Sequence, residues 1–348
     1  MPRALFAIPG DIDTATGGYA YDRRVMELLP AYGIEVEHLA LPGSFPNPSA
    51  SDLETTGRLL ENAGDGSSLL IDGLAYGALP EALVAGLKAD IVALIHHPLG
   101  FETGLKEEDA ERFIATERVA LKYARHVVVT SRATARALER DFEVPHKKIT
   151  VAEPGTDPAL RATGTGTPLQ LLAVGAVSPR KAYDILIKSL APLKELDWRL
   201  AIAGATDRDP AAAAKVRAAI DEAGLSDRVT LAGKVVPATL ERFFDSADLF
   251  VMPSLFEGYG MVLAEAMARG IPIVCTTGGA AAETVPDAAA LKVPPGDPEA
   301  LTEALRAALE NKKLRRKLAD AAWEAGRALP TWNETARRIA AALLGMKA

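Results

Sequence analysis

The chain has 348 residues, of which 49% are apolar and 24% are charged, as in ordinary globular proteins large enough for two domains. Its net charge of −7 argues against a nucleic-acid partner, which would require a basic face. No apolar stretch approaches the roughly 18 to 20 residues that a membrane span needs, so we expect a cytoplasmic protein.

Signals of a metal or of a redox cofactor are missing from the residue pattern. The single cysteine, Cys275, lies in a strand-like run, and the five histidines show no metal-ligand spacing. We therefore expect no bound metal. The Gly-x-Gly-x-x-Gly fingerprint of nicotinamide-binding proteins is also absent, which disfavours a dehydrogenase.

Strand-like and helix-like segments alternate along the first half of the chain. Apolar runs rich in β-branched residues predict strands at Ala4–Ile8, Leu69–Ile71, Ile91–Ile95 and His126–Thr130. The segments between them predict helices at Tyr19–Tyr32, Pro80–Lys88, Ala110–Arg125 and Ala133–Phe142. This alternation is typical of α/β units around a parallel sheet.

Near residue 163 the composition changes to small and turn-forming residues, in Arg-Ala-Thr-Gly-Thr-Gly-Thr-Pro, which predicts a linker between two domains. The alternation then restarts. Strands are predicted at Gln170–Val174, Trp198–Ala203, Val229–Leu231, Leu249–Met252 and Pro272–Thr276, with helices at Tyr183–Leu190, Ala211–Ala223, Ala238–Ser246, Met261–Arg269 and Pro298–Glu310. We therefore predict two doubly wound domains, whose ligands bind beyond the carboxyl ends of the strands.

Two loops of the first half carry residues suited to ligand binding. After the first strand, Gly17 and Gly18 open a helix and permit close backbone approach to an anion; a plain turn is the alternative. His96 directly follows the strand Ile91–Ile95 and is followed by His97. Either imidazole would hydrogen-bond a sugar hydroxyl or cap the strand end, and we favour His96 because it ends the apolar run.

A pair of cations follows the strand Gln170–Val174. Just beyond a buried strand, Arg180 and Lys181 can clamp a diphosphate, the first through a bidentate guanidinium and the second as a point charge. Surface charge for solubility is the alternative. Further along, the backbone of Val235 is a candidate partner for the edge of a nucleobase, although a core position fits that residue equally well.

The most informative segment runs from Met252 to Met267 and reads Met-Pro-Ser-Leu-Phe-Glu-Gly-Tyr-Gly-Met-Val-Leu-Ala-Glu-Ala-Met. It predicts a strand end, a glycine turn and a helix start, where unpaired N–H groups and the helix dipole favour a phosphate. Glu257 and Glu265 would repel that phosphate, so we expect them to accept hydrogen bonds from hydroxyl groups beside it. A sugar on one side and a ribose on the other describe a nucleotide sugar. The alternative is a capping Glu257 and a solvated Glu265.

These motifs resemble those of a known family. The run Ser254–Val274, with its glutamate–seven–glutamate spacing, is similar to retaining glycosyltransferases of the GT-B fold, in the large family four group, also called glycosyltransferase group 1. Pro294–Pro298 resembles the turn that follows in that family, and Val174–Lys181 resembles its phosphate-clamp loop. Weaker likenesses in the first half extend the resemblance over nearly the whole chain; they lie at Thr16–Gly18, His96, Thr130-Ser131 and Pro154–Asp157.

The resemblance implies a GT-B architecture of two Rossmann-like domains that face each other across a cleft. Residues 1–163 would form the acceptor-binding domain and residues 164–330 the donor-binding domain. A C-terminal helix within 331–348 would return to the first domain. The implied activity is transfer of a hexose from a nucleoside diphosphate sugar to a hydroxyl acceptor, with retention of configuration and without a metal or other cofactor. The acceptor would be a glycan, a lipid-linked molecule or a small molecule in glycan biosynthesis, and any membrane contact would be peripheral.

The resemblance also implies roles for residues of the second domain. Glu265 would bind the ribose hydroxyls, Val235 would contact the base, and Lys181 with Arg180 would neutralise the diphosphate. Glu257 would hold sugar hydroxyls near the reacting carbon. The backbone amides that cradle the phosphates and the transferred sugar would be those of Gly258, Tyr259 and Gly260. In the first domain, Gly17, Gly18 and His96 would close on the donor and hold the acceptor. Glu257, His96 and Lys181 form the expected catalytic set.

Two positions depart from the family pattern. Where the family commonly has Arg and Gly in the clamp loop, this chain has Ala176 and Ala182. Either Arg180 supplies the missing charge from its own position, or phosphate neutralisation is weaker than usual. Two alternative functions follow: a nucleotide-sugar epimerase of the same fold, and a non-catalytic sugar-nucleotide-binding protein, the latter prompted by these alanines.

Overall fold

The computed structural model describes residues 2–62 and 67–346, which form two compact units. Unit 1 comprises Met1–Gly155 and Pro330–Ala348, and unit 2 comprises Thr156–Leu329. The boundary between the units therefore lies before residue 163, the position at which the sequence predicts it. The reason is that the glycine-rich segment is bound to unit 2, where the Asp248 carboxylate accepts hydrogen bonds from the backbone N–H groups of Thr165 and Gly166.

Unit 1 is built on a sheet of six strands. These are β1 Arg3–Pro9, β2 Glu35–Leu41, β3 Ser68–Asp72, β4 Asp90–Ile95, β5 His126–Val129 and β6 Ile149–Val151. All neighbours pair in parallel, in the order β2-β1-β3-β4-β5-β6. The helices of its first segment are α1 Gly17–Leu28, α2 Ala50–Glu61, α3 Gly73–Tyr76, α4 Glu81–Gly86, α5 Glu107–Tyr123 and α6 Arg132–Asp141.

Unit 2 repeats this plan. Its strands are β7 Leu169–Val174, β8 Trp198–Ala203, β9 Val229–Gly233, β10 Leu249–Met252, β11 Ile273–Thr276 and β12 Ala290–Val293. They form a second parallel sheet in the order β12-β11-β10-β7-β8-β9. The helices are α7 Tyr183–Leu190, α8 Pro210–Glu222, α9 Pro237–Ser246, α10 Met261–Ala268, α11 Ala281–Thr284, α12 Pro298–Glu310 and α13 Lys312–Gly326.

Each sheet reverses its strand order once. In unit 1 the chain places β2 on one side of β1 and β3 on the other; in unit 2 it places β8 on one side of β7 and β10 on the other. Loops that leave the carboxyl ends of two strands at such a switch point diverge, and the crevice between them is where ligands bind in open α/β sheets. The topology therefore selects the loops after β1 and β3, and those after β7 and β10.

The last helix, α14 Trp332–Leu343, belongs to unit 1. It starts with a capping box, in which Thr331 and Glu334 satisfy each other's backbone N–H groups. The Thr335 hydroxyl donates to Glu153 O at 2.6 Å, and the Arg338 guanidinium donates to Val151 O at 2.7 Å. The C-terminal segment is thereby fastened to the edge of the unit 1 sheet.

The predicted α/β class and the doubly wound sheets are confirmed. Every strand and helix predicted above is present, with ends that shift by up to a few residues, as for the predicted Tyr19–Tyr32, which is α1 followed by a 3₁₀ turn at Leu29–Tyr32. The sequence does not predict β2, β6 or β12. Across residues 2–62 and 67–346, no helix combines the length and the apolar composition needed to cross a membrane.

Candidate active site

Two loops of unit 2 emerge side by side because β7 and β10 pair in parallel. The loop 175–182 follows β7, and the loop 253–260 follows β10 and leads into α10. The backbone N–H of Leu255 donates to Arg180 O at 2.8 Å, and the Arg180 guanidinium donates to Phe256 O at 2.7 Å. These contacts fix one loop against the other at the switch point of the sheet.

A buried ion cluster joins the same two loops. The Lys181 ammonium lies 2.7 Å from Glu257 Oε1, and the Arg180 guanidinium lies 3.2 Å from that oxygen. Burial alone would raise the pKa of Glu257, but the charges of Lys181 and Arg180 outweigh it and lower the pKa to about 2. Glu257 is therefore ionised, and the cluster holds two positive charges against one negative charge.

The path of the Lys181 side chain explains the glycine that follows β7. Gly175 has φ of 146°, and a Cβ atom placed on it would lie 2.7 Å from Lys181 Cε. A side chain at position 175 would displace the ammonium from Glu257. The Tyr183 hydroxyl donates to Gly175 O at 3.2 Å and holds this backbone in place.

The start of α10 is formed by backbone alone. Gly260 adopts a left-handed conformation with φ of 89°, and no side chain within residues 2–62 and 67–346 caps the helix. The Tyr259 side chain is buried in the core, and its carbonyl oxygen accepts a hydrogen bond from Thr284 Oγ1 at 2.6 Å. Any role of Gly258, Tyr259 and Gly260 in phosphate binding thus belongs to their backbone N–H groups and to the helix dipole.

The backbone of Glu257 is braced from the next strand. Its N–H donates to Gly278 O at 3.2 Å, and its carbonyl accepts from Ala280 N–H at 2.8 Å. The loop after β11 therefore fixes the height of the Glu257 carboxylate above the sheet.

Glu265 lies in the second turn of α10 and is half-buried, rather than fully solvated. Burial raises the pKa of Glu265 to about 7, with the charge of Arg269 opposing the change and those of Glu241 and Asp157 adding to it. A carboxyl group so poised gains stability from hydroxyl donors that favour its ionised form.

Val235 lies at the same edge of the sheet as the ion cluster, and Ala182 has a left-handed backbone conformation. Val235 follows β9, two strands from β7, so it lies at the same edge of the sheet, about 10 Å to one side. Its side chain is half-buried, not part of the core. Ala182 has φ of 50° and ψ of 37°, a left-handed conformation that favours glycine, the residue that the family resemblance implies at this position.

In unit 1 the structure brings Gly18 and His96 together. Helix α1 begins at Gly17, and Thr16 Oγ1 accepts from Tyr19 N–H at 3.1 Å as its cap. A Cβ atom on Gly18 would lie 3.5 Å from the His96 ring. The glycine pair is thus the first turn of a helix that passes against the imidazole, not an isolated turn.

The sequence did not reveal the partners of His96. Its Nε2 atom lies 3.2 Å from Asp22 Oδ1 and 3.3 Å from Asp72 Oδ2. Burial alone would lower the pKa of His96, but the two carboxylates outweigh it and raise the pKa to about 10. Burial also raises the pKa of Asp22. Within the described residues, these three side chains are the group whose ligand atoms, all within 4.8 Å of one another, could hold a metal ion. Spacing along the sequence shows no such group because α1, β3 and β4 each contribute one member.

Solved structures identify the class of fold. Sucrose-phosphate synthase from Thermosynechococcus elongatus matches with a TM-score of 0.84 and 21% identity, over 97% of each chain. Anabaena Alr3699/HepE in complex with UDP-glucose matches with a TM-score of 0.76 and 17% identity, over 99% of this chain and 100% of that chain. The chain has the GT-B fold.

Two family models match consecutive parts of the chain: Glycosyltransferase Family 4 at residues 70–160, and Glycosyl transferases group 1 at residues 161–324. The chain belongs to this glycosyltransferase family, as its motifs predict. D-inositol 3-phosphate glycosyltransferase of Nocardioides sp. is 30% identical over 256 residues, which are 66% of this chain and 56% of that protein. The chain spans about half the length of the first curated relatives that it matches.

Proposed function

We propose that this protein transfers a hexose from a nucleoside diphosphate sugar to a hydroxyl acceptor, with retention of configuration and without a metal. The observation that carries the proposal is the buried Lys181–Glu257 pair beside the uncapped start of α10. Cations and a helix N-terminus stabilise a departing diphosphate, and they are fixed in place before the reaction.

Charge decides the roles that we propose at this site. Both cations lie at Oε1 of Glu257, so Oε2 is the oxygen that would accept a sugar hydroxyl. Lys181 is the point charge for the diphosphate. Arg180, within reach of the same carboxylate, supplies the charge that Ala176 lacks. Backbone N–H groups of Gly258, Tyr259 and Gly260 complete the phosphate seat, because one net positive charge does not balance a diphosphate.

In this proposal, two further residues bind the nucleoside end of the donor. Glu265 accepts the ribose hydroxyls, and the backbone of Val235 meets the base. The donor class is supported by Anabaena Alr3699/HepE, which shares the fold and is solved with UDP-glucose.

Unit 1 is proposed to bind the acceptor through Gly17, Gly18 and His96. The acceptor is a glycan, a lipid-linked molecule or a small molecule; the name of the Nocardioides relative supports including phosphorylated polyols among the candidates. A cytoplasmic location is part of the proposal, supported by the buried free thiol of Cys275.

The test is a panel of UDP-, GDP- and ADP-sugars, screened first by thermal shift and then for nucleotide release with a set of acceptors. We expect one donor to raise the melting temperature, and its turnover to require an acceptor and to survive EDTA. The anomeric coupling constant of the product reports retention. No binding to any donor contradicts the proposal. Binding without turnover favours a non-catalytic protein, and nucleotide release without an acceptor favours an epimerase.

A further inference from the structure

The His96 ring is held between two buried carboxylates. Asp22 is fully buried on α1, and Asp72, at the end of β3, is 2% exposed. Each places one oxygen within 3.3 Å of the same ring nitrogen, Nε2. The second oxygen of Asp22 is buried and has no hydrogen-bond partner among the residues that the structure describes.

Such an arrangement is stable only if a proton on one of the buried carboxylates or a positive charge between them offsets their repulsion. A neutral imidazole donates at most one hydrogen bond through Nε2, which leaves two buried carboxylates facing each other without compensation. The other groups packed around the ring do not supply the charge. The Tyr21 hydroxyl donates to Ala152 O, and the Arg23 guanidinium donates to Ile12 O, although its charge still acts on Asp22 at longer range. A doubly protonated His96 places a positive charge at nearly equal distances, 3.2 and 3.3 Å, from both carboxylates, and this geometry favours it.

The carboxylates also fix how the ring is oriented. The other oxygen of Asp72, Oδ1, accepts a hydrogen bond from Leu74 N–H at 2.8 Å, so α3 holds this carboxylate in place. The Thr130 hydroxyl donates to His96 O at 3.1 Å, and Gly18 packs against one face of the ring. With Nε2 committed to the carboxylates, Nδ1 is the ring atom left for a ligand, since it makes no hydrogen bond within the described residues.

We propose that Asp22 and Asp72 are positioning residues that keep His96 doubly protonated and present its Nδ1–H as a permanent hydrogen-bond donor to an oxygen of the substrate. The inference rests on the proposed function only for the identity of that substrate. It changes the role of His96: a ring that already carries both protons does not accept one from the acceptor hydroxyl. The proton of the acceptor hydroxyl must then go to a group other than His96.

The state of the ring is measured directly by NMR on the full chain with ¹⁵N-labelled histidine, and His96→Gln identifies the signals. We expect both ring nitrogens of His96 to remain protonated from pH 6 to pH 8.5. Asp72→Asn should lower the titration midpoint of His96 by at least one pH unit, and Asp22→Asn should act in the same direction. The matched control is Glu139→Gln, which removes the carboxylate 2.7 Å from the exposed His146 and should leave His96 unchanged.

A wild-type midpoint at or below pH 7 overturns the proposal, even if an aspartate variant fails to fold. Addition of Mn²⁺ or Zn²⁺ is the second arm: a metal that binds tightly and shifts or broadens the His96 signals also overturns it, because metal ligation requires an unprotonated Nε2. Activity adds a third readout. Asp72→Asn should introduce a pH limb in kcat/KM at the lowered titration midpoint of His96 that the wild type lacks, whereas a merely structural defect would lower activity at every pH. The NMR result stands whether or not any sugar is transferred, so it separates this inference from the proposed function.

Discussion

The ammonium group of Lys181 lies 2.7 Å from Oε1 of Glu257, and the two residues are 76 positions apart in the sequence. Both residues are at least nine-tenths buried, so little solvent screens them and each interacts mainly with the charge of the other. Their encounter depends on β10 crossing back to pair with β7. The pair is therefore both a product of the strand order and the centre of the proposed donor site.

Lys181→Ala should weaken donor binding by about ten- to a hundredfold, because a hydrogen bond to a charged phosphate is lost. It should also lower the free energy of unfolding by about 3 kcal/mol, since Glu257 stays buried with Arg180 as its remaining close cation. Calorimetry and urea unfolding measure the two effects. Lys188→Ala, on the exposed face of α7, is the matched control and should change neither. Unchanged donor affinity in the Lys181 variant would show that Lys181 does not bind the diphosphate.

Glu257 should make stability depend on pH in acid. Its pKa is lowered from 4.5 to about 2 in the folded protein, so its contribution is present above pH 4.5 and is lost as the pH falls towards 2. Between these limits, the difference in unfolding free energy between the wild type and Glu257→Gln should shrink by about 3 kcal/mol. Urea titrations from pH 6 downwards measure it. Glu222→Gln, exposed on α8, serves as the control; a pH-independent difference at Glu257 would refute its ionised, paired state.

Glu265 should make donor affinity depend on pH near neutrality. Its pKa is raised to about 7, and the ionised carboxylate accepts hydroxyl hydrogen bonds more strongly than the protonated group does, so affinity should rise with pH. From pH 6 to pH 8 we expect a change of about tenfold, in proportion to the ionised fraction. In Glu265→Gln the donor affinity should be lower and should not change with pH over this range. A pH dependence that survives the substitution would assign it to another group.

Replacement by glycine should cost less stability at Ala182 than at Ala176, which lies in the same loop. In a left-handed conformation an alanine costs about 1 to 2 kcal/mol that glycine avoids, and this offsets the greater freedom of glycine in the unfolded chain. Ala176 does not have a positive φ, so its replacement by glycine relieves no backbone strain. We expect Ala182→Gly to be about 1 kcal/mol more stable than Ala176→Gly in urea unfolding. Equal losses would mean that position 182 is not strained.

Gly175→Ala should disturb both function and folding. The added methyl group would occupy the path of the Lys181 side chain, and alanine is strained at the φ of 146° that glycine adopts there, which costs about 1 to 3 kcal/mol. Displacing the ammonium removes its contact with Glu257 and with the donor, so donor affinity should fall about as far as in Lys181→Ala. Gly86→Ala, where a Cβ atom meets nothing within 4 Å, is the control. Full donor affinity in the Gly175 variant would contradict this account.

How much of the fold the sequence predicts depends on where a strand lies in its sheet. The interior strands β4 and β10 are continuous apolar runs because both of their faces are covered, and both were predicted. The missed strands β2, β6 and β12 all lie at sheet edges. β2 has two glutamates among its seven residues and one fully buried side chain, and its only apolar run is the last three residues, Leu39–Leu41.

The candidate site divides in the same way. Glu257 and Glu265 are predicted as site residues from a local motif, because they lie on one turn and on the helix that follows it. Asp22 and Asp72 were missed because their meeting with His96 depends on α1, β3 and β4 converging. Asp22 is followed by two arginines, which suggests a surface helix face. The one available signal was Asp72, a carboxylate directly after the apolar run Leu69–Ile71.

The attachment of α14 to unit 1 makes unit 2 an insertion within the chain. Gly155, the last residue before that insertion, packs so closely on the backbone of Trp332 that a Cβ atom would lie 2.2 Å from its nitrogen. The outgoing and returning segments therefore meet at one point of unit 1. Excision of residues 156–329 would leave almost no gap for a linker to span, whereas truncation before Trp332 would strip the N-terminal unit of its own final helix and uncover Tyr21, on which the indole rests.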